Sequence, residues 1–324
     1  MTDNPRAPAP VSADEVAALV VTYFPDAAIS ERIDLLLAQF GRIAMVDNGS
    51  DDASLKPLAR YRGRISFHRN PANLGIATAL NQGLRKLAAE GFTWVATFDQ
   101  DSSVRPGFLD AMLETLNGQT NRDELALIGA KRIDPDNPIE HRWLRPRRGF
   151  PFFERVTCEE ASKGVTLVIT SGTLTSIAAF EQLGGFRDDL FIDLVDNEYC
   201  LRARIHGYRI LVSCGAQLMH KVGNKITSRR MGLTVSATNH GALRKYYLFR
   251  NSIVVMKRHG RSQPHWLFYH LLSLGEVILG ILFWERTKGS KLKACSLGLV
   301  DGLRGDSGPS ARLWPLPRAA DSSK

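Results

Sequence analysis

The stretch Trp94-Val-Ala-Thr-Phe-Asp-Gln-Asp101 decides how this chain folds. Its unbroken run from Trp94 to Phe98 ends on two carboxylates set two apart. A short apolar run bounded by a turn reads as a strand covered on both faces, as in parallel sheets. Ligands of open α/β sheets gather beyond the carboxyl ends of such strands, so Asp99 and Asp101 stand where a site opens. Two acidic groups at that spacing suit a divalent cation, Mg²⁺ or Mn²⁺, shared with the diphosphate of a nucleotide-sugar. For an isolated Asp-x-Asp, a pair of solvated turn carboxylates is the plainer reading.

Other elements surround this run in a fixed order. Val16-Ala-Ala-Leu-Val-Val-Thr-Tyr-Phe24 reads as a first strand, and Ile43-Ala-Met-Val46 as a second, closed by the turn cluster Asp47-Asn-Gly-Ser50. A short strand near Ile65-Ser-Phe67 precedes Asn73-Leu-Gly75, which opens a helix with Ile76, Ala79, Leu80, Leu84 and Leu87 on its apolar face. Alternating strands and helices predict an α/β fold with a doubly wound, mixed but mostly parallel sheet flanked by helices. No Gly-x-Gly-x-x-Gly follows the first strand, which disfavours a dinucleotide oxidoreductase.

The ordered succession Val20-Val-Thr-Tyr-Phe-Pro25, Val46-Asp-Asn-Gly-Ser50, Asn73-Leu-Gly75, Phe98-Asp-Gln-Asp-Ser102, Gly184-Gly-Phe186 and Asp196-Asn-Glu-Tyr-Cys-Leu-Arg202 resembles glycosyltransferase family 2. Within it, Phe98–Ser102 and Phe191–Glu198 look most like the bacterial rhamnosyltransferases. The resemblance spans residues 16 to 260 and implies a GT-A fold and an inverting, metal-dependent transferase, with L-rhamnose moved from dTDP-L-rhamnose to a lipid-linked surface polysaccharide. It implies Asp101 as a metal ligand, Asp99 as a contact to the nucleoside or a metal-bound water, and His220 as a further metal ligand. It places Asp196 where the catalytic base of inverting members lies. The acid that precedes that base in the family is Val195 here, and Asp193 could restore a second charge. Ser171-Gly172-Thr173 resembles the family's acceptor-side turn. Another nucleotide-sugar, such as a UDP-hexose, and a catalytically silent membrane-surface scaffold are the competing readings.

The residues carry their own argument beside that resemblance. Sugar transfer needs the leaving diphosphate neutralised and a base on the opposite face of the anomeric carbon. Asp196 and Glu198 lie two apart, so on a helix they point apart and only one can serve. Asp196 also reads as the N-cap of a helix running to about His206. Thr22, Tyr23, Asp47 and Asn48, at the ends of the first two strands, are placed to contact nucleobase and ribose. Asn73, Gly75 and Asn81 flank a helix N-terminus, which favours anions. All of these have turn or cap roles as alternatives, favoured for Gly75 and Asn81, and His220 has an ordinary surface role. The Pro-broken basic segment His141–Arg148 reads as a mobile loop over the site or a solvated surface loop.

A chain of 324 residues, 44% apolar and 23% charged, can bury a full core around one catalytic domain. Residues 1–15 read as a disordered tail, 16–230 as the catalytic domain, 231–300 as a basic, apolar helical region and 301–324 as a flexible tail. The four cysteines show neither a Cys-x-x-Cys pair nor zinc spacing, which predicts unpaired thiols in a reducing compartment. Residues 221–293 hold fourteen Lys and Arg against only Glu276 and Glu285, although the whole chain is only +9. Embedded there, Trp266–Trp284 is nearly long enough to span a membrane but carries His270, Ser273 and Glu276 at helical spacing. A Glu is costly in lipid, so an interfacial helix drawn to anionic headgroups at the cytoplasmic face is expected, with a helix packed on the protein as the near-equal alternative. Arg244–Asn251 resembles a helix shared by lipid-linked sugar transferases and could meet an acceptor's pyrophosphate. The apolar block argues against nucleic acid as the partner of this basic region.

Overall fold

Seven consecutive buried residues, Val16–Thr22, form β1, which is covered on both faces as the apolar run requires. In this computed structural model, residues 9–134, 140–220, 225–230, 233–238 and 240–310 are described. After β1 come α1 (Ile29–Leu37), β2 (Ile43–Asp47), α2 (Asp52–Leu55), β3 (Ser66–Arg69), α3 (Ile76–Ala89), β4 (Trp94–Asp99), β5 (Ser102–Val104) and α4 (Phe108–Asn117). The chain continues through β6 (Leu125–Ile133), β7 (Trp143–Pro146), β8 (Phe153–Val156), α5 (Cys158–Ala161), β9 (Thr173–Ser176), α6 (Ile177–Leu183), α7 (Val195–Ile205) and β10 (Arg209–His220). It closes with β11 (Lys225–Arg230), β12 (Leu233–Thr238), α8 (Ala242–His259), α9 (Pro264–Phe283) and α10 (Lys288–Arg304).

The main sheet runs β3-β2-β1-β4-β9-β6-β10-β5. β1 pairs in parallel with both β2 and β4, β2 with β3, and β6 with β10, whereas β9 lies antiparallel between β4 and β6 and β5 antiparallel to β10. Strand order reverses direction between β1 and β4. That is the topological switch point, and the crevice at the carboxyl ends of these two strands is where such sheets bind ligands.

Two cores cover the two sheet faces. Ile29, Ile33 and Leu36 of α1 join Phe108 and Met112 of α4 on one side, and Leu80 and Leu84 of α3 join Phe180, Tyr199 and Trp266 on the other. Because Trp266 of α9 belongs to the second core, α9 is built onto the main sheet. The β11–β12 hairpin pairs Arg230 with Leu233, across the expected boundary between the catalytic domain and a basic C-terminal appendage.

Within that appendage the basic excess is partly internal. Glu285 is buried and takes both Lys245 (2.8 Å) and Lys291 (2.6 Å), and Arg250 is buried against the carbonyls of Asp189, Leu190 and Gly308. α10 lies close on α8 because of glycine. A Cβ on Gly298 would come within 2.4 Å of the Tyr246 carbonyl oxygen, so that interface has no room for a side chain there.

Several sequence expectations change. Residues 9–15 are ordered, not a loose tail: Val11 exchanges backbone hydrogen bonds with the Asn117 amide, and Ala13–Glu15 form a 3₁₀ turn. The expected flexible C-terminal tail is ordered through residue 310, since α10 reaches Arg304 and the Ser310 N–H donates to the Tyr247 hydroxyl. The segment from His141 forms β7 and pairs with β8 as a hairpin, so it is not a free loop. Cys158 and Cys214 are bonded, with Cα atoms 5.7 Å apart, where α5 packs on β10, while Cys200 and Cys295 are free and buried. A separation of 56 residues leaves no local spacing to announce such a pair. The polar stripe of α9 splits: His270 is buried, hydrogen-bonded to Ser252 of α8 (2.8 Å) and stacked on Trp266, whereas Glu276 is exposed.

Candidate active site

A cleft of about 570 Å³ opens at the switch point. Thr22 and Tyr23 from the end of β1, Asn48 and Asn73 from the next turns, Asp99, Gln100 and Asp101 from the end of β4, Asp193 and Asp196 around the start of α7, and Arg244 from α8 all line it. Asp101 and Asp196 therefore face one common space.

The rim is rigid because its turns bond to one another. Asp47 is fully buried and does not line the cleft. Its carboxylate accepts the N–H groups of Gly49 and Ser50 and the hydroxyls of Ser50 and Thr22, so it anchors the turn that carries Asn48 into the cleft. Asn48 donates to Asn73 Oδ1 and to the Gly75 carbonyl, both at 3.0 Å, and its own Oδ1 accepts from Asn70 and the Leu74 N–H. Gln100 holds the ends of β1 and β4 together, accepting from the Tyr23 N–H (2.7 Å) and donating to the Tyr23 carbonyl (3.0 Å). Sequence reasoning passed over Gln100, although its place between two strand-end acids was the available signal.

The helix N-terminus at Asn73–Gly75 is not open to an anion in full. The Ile76 N–H donates to the Phe191 carbonyl (2.8 Å), and a Cβ on Gly75, whose φ is +88°, would come within 2.6 Å of that same oxygen. Asn81 bridges α3 to the Phe186 backbone and Asp188, the structural alternative for that residue.

Asp196 lies in the first turn of α7, not at its cap. The preceding residues Phe191, Asp193 and Leu194 all have positive φ, an unfavourable conformation for side-chain-bearing residues that the surroundings must impose. α8 imposes it. The Asn251 amide nitrogen lies 2.7–2.9 Å from the carbonyl oxygens of Leu190, Ile192 and Asp193, and Arg250 holds Asp189 and Leu190. Arg250 and Asn251 thus face the fold and shape the loop, while Arg244 reaches the cleft and pairs with Asp193 (2.7 Å). That ion pair gives Asp193 an electrostatic partner at the rim of the cleft.

Glu198 points the other way, into the core, where it pairs with Arg202 (2.8 Å) and His259 (3.1 Å). Of the three acids in this segment, Asp196 alone lies between this cleft and a second cavity of about 320 Å³. Asn197 lines both as well and accepts from the Trp266 indole N–H (3.1 Å). Thr173 is buried within β9 and meets the second cavity, and Gly172 packs against Leu218, so Ser171–Thr173 leads into β9 at the edge of that cavity. His220 ends β10 with its backbone opposite Ser102, next to Asp101, and its side chain lies outside the described residues.

Charge is crowded in the cleft. Burial, then the carboxylates of Asp101 and Asp196, push Asp99 up to about 7 against the opposing pull of Arg244. Burial also raises Asp196, with hydrogen bonds from Asn197 opposing. Among the described residues no group of three or more His, Cys, Asp and Glu is arranged around a metal position. Crowded carboxylates of this kind nonetheless fit a divalent cation, whose charge relieves their repulsion. A raised carboxylate makes ionisation costly to the folded state, so stability falls as pH rises from about 4 towards 7. Asp99→Asn removes that cost. In chelator-treated protein it is expected to raise Tm above pH 7 by several degrees, for at most about 4 kcal/mol, and by nothing below pH 4, in a series of thermal melts.

Residues 18–182 match the family described as glycosyl transferase family 2, which is half of the chain. The chain belongs to that family. It is a glycosyltransferase. Among curated relatives, the dTDP-rhamnosyl transferase RfbF of Shigella flexneri is 27% identical over 301 residues, covering 90% of this chain and 97% of that one. An uncharacterized glycosyltransferase of Rickettsia typhi is 23% identical over 59% of this chain and 64% of its own length. Among solved structures, S. aureus TarS 1-349 in complex with UDP-GlcNAc superposes with a TM-score of 0.57 at 14% identity, over 89% of this chain and 81% of that one. GalNAc-T7 solved with UDP, GalNAc and Mn²⁺ gives 0.52 at 12% identity over 75% of this chain, which spans only 47% of that one. These likenesses establish the GT-A fold of the family 2 glycosyltransferase.

Proposed function

We propose that this family 2 enzyme is an inverting, metal-dependent rhamnosyltransferase that moves L-rhamnose from dTDP-L-rhamnose to a lipid-linked surface polysaccharide at the cytoplasmic membrane face. The observation that carries the mechanism is the position of Asp196 between two cavities. A donor in the first cleft and an acceptor hydroxyl in the second would meet at its carboxylate, which takes the hydroxyl proton as the oxygen attacks from the face opposite the leaving diphosphate. One displacement of that kind inverts the anomeric carbon.

Thr22, Tyr23, Asn48 and Asn73 would hold the nucleoside, with Asp99 beside them. Arg244 lies where it can pair with phosphate oxygens. Asp101, with His220 adjacent to it by strand register, would hold Mg²⁺ or Mn²⁺, and Asp99 would contact the nucleoside or a metal-bound water; the ion when bound supplies positive charge to the departing diphosphate. The second cavity, with Thr173 and Ser171 on its floor and Trp143, Arg132 and Tyr269 on its walls, fits a sugar ring packed on aromatic faces and gripped at its hydroxyls. The rhamnose donor is supported by the Shigella relative, which matches nearly end to end. The cytoplasmic face fits a charged nucleotide donor, which cannot cross a bilayer unaided.

Incubation with a panel of nucleotide-sugars should show hydrolysis of dTDP-L-rhamnose above all others. Preferential hydrolysis of a UDP-hexose would replace the donor, and no hydrolysis of any would favour the silent scaffold. Asp101→Ala is expected to weaken Mn²⁺-dependent binding of dTDP by at least about tenfold in calorimetry, a loss of one cation-binding oxygen. Unchanged binding would remove Asp101 as a metal ligand.

A further inference from the structure

The β7–β8 hairpin carries an exposed apolar tip that nothing in the transfer chemistry uses. Phe150 is 74% exposed and Phe152 43%, and both rings lie against Phe268 of α9, with centroids 5.3 and 6.4 Å away. From there the apolar surface continues along α9. Leu271, Leu272, Leu279 and Leu282 are 41–50% exposed and Phe283 is 65% exposed, all on the stripe opposite His270. Scattered exposed apolar side chains need no explanation, but a contiguous set drawn from two separate elements does.

Its rim is cationic. Arg147 and Arg148 are exposed beside the hairpin tip, Arg261 precedes α9, and Arg286 and Lys288 follow it, while Glu276 is the one acid on the exposed stripe of α9. α9 itself is long and apolar enough to cross a membrane, with mean hydropathy 1.7. Its inner face is nonetheless committed to the core through Trp266, His270 and Ile281. A helix held on one side and apolar on the other lies on a surface and does not thread one. Self-association across a two-fold axis would press this cationic rim against its own copy. Anionic phospholipid headgroups match the rim, and acyl chains match the stripe.

We propose that the hairpin tip and the outer face of α9 form a two-point docking surface for an anionic bilayer, with Phe150 and Phe152 as insertion anchors. This deepens the membrane-face reading given above and rests on it. The second cavity is walled by residues of β7 and α9, Trp143 and Tyr269 among them, so docking through these two elements would bring its walls close to the lipid surface that bears the acceptor.

The test is flotation of the full chain with vesicles of phosphatidylcholine alone or mixed with phosphatidylglycerol, alongside donor hydrolysis in solution and sedimentation velocity. Wild-type protein should float with the anionic vesicles. Phe150→Asp and Leu279→Asp should each lower the bound fraction at least fivefold, and the pair Arg147→Glu and Arg148→Glu should abolish the preference for phosphatidylglycerol. Hydrolysis should be unchanged in all of these: flotation lost with hydrolysis kept speaks for the docking surface, whereas wild-type protein that floats but hydrolyses no nucleotide-sugar speaks against the transferase reading and leaves the docking surface standing. Wild-type protein that ignores anionic vesicles, or hairpin variants that bind as wild type, would overturn it. So would a dimer in solution that Phe150→Asp dissociates, which makes the face a contact between copies.

Discussion

Asp196→Asn is expected to slow sugar transfer by about 10³-fold while leaving dTDP affinity within about twofold. The substitution keeps the shape of the side chain and one oxygen to accept the Asn197 N–H, now at 2.8 Å, so the start of α7 should hold its place. What disappears is, among the described residues that line both cavities, the one carboxylate able to take a proton. In the wild type, burial raises the Asp196 carboxyl, which would bring it as the proposed base nearer a working pH and favour proton transfer. The acid limb of the transfer rate should therefore lie above the ordinary carboxylate range and vanish in the Asn variant. A second readout is independent of rate. Removing the Asp196 charge deletes one of the two carboxylates that push Asp99 up, so Asp99 should titrate lower in the variant, as carbon-13 chemical shifts of its carboxyl would report. Near-normal turnover would remove Asp196 as the base, and loss of dTDP binding would make it a donor ligand.

The sheet and the main acids were legible in sequence because both signals are local. Apolar runs such as Val16–Thr22 declare buried strands, and the acids that end β4 mark its carboxyl end without reference to anything distant. Asp47 shows where local reading stops. A strand-end Asp is equally suited to a ligand or to its own turn, and the four hydrogen bonds it accepts, one of them from Thr22 on the neighbouring strand, are made by packing that no local pattern announces. The positive φ values at Phe191, Asp193 and Leu194 were invisible for a stronger reason. No residue there favours them, and they are held by Arg250 and Asn251 from some sixty positions along the chain. The Cys158–Cys214 bond and the β7–β8 hairpin are likewise products of packing. Arg244, Arg250 and Asn251 lie on one helix that sequence could mark as basic, but only its packing separates the residue that enters the cleft from the two that brace it.

That bracing extends to Glu198, and its loss is expected to have the largest effect on stability. Two residues beyond Asp196, Glu198 is turned by about 200° around α7, so its anchorage in the core fixes the rotation that aims Asp196 at the cleft. Arg202 donates to both of its oxygens and also to the carbonyls of Leu183 and Gly185, and His259 of α8 completes the group. Glu198→Gln leaves the Arg202 charge buried without its counter-ion, at a cost of about 3–5 kcal/mol in urea unfolding at pH 7. Burial alone would raise the Glu198 carboxyl, but the hydrogen bonds from His259 and Arg202 override it and hold the group down to about 2, below its ordinary 4.5. A depressed acid stabilises the fold above its unfolded pKa and loses that contribution as pH falls through the folded one. The gap between wild type and Glu198→Gln should accordingly be full at neutral pH and shrink between about pH 4.5 and 2. Transfer at 25 °C should fall together with stability, whereas a variant of the exposed Glu276 should change neither. A Glu198→Gln protein with the wild-type urea midpoint at pH 7 would show that α7 is oriented by its apolar face alone.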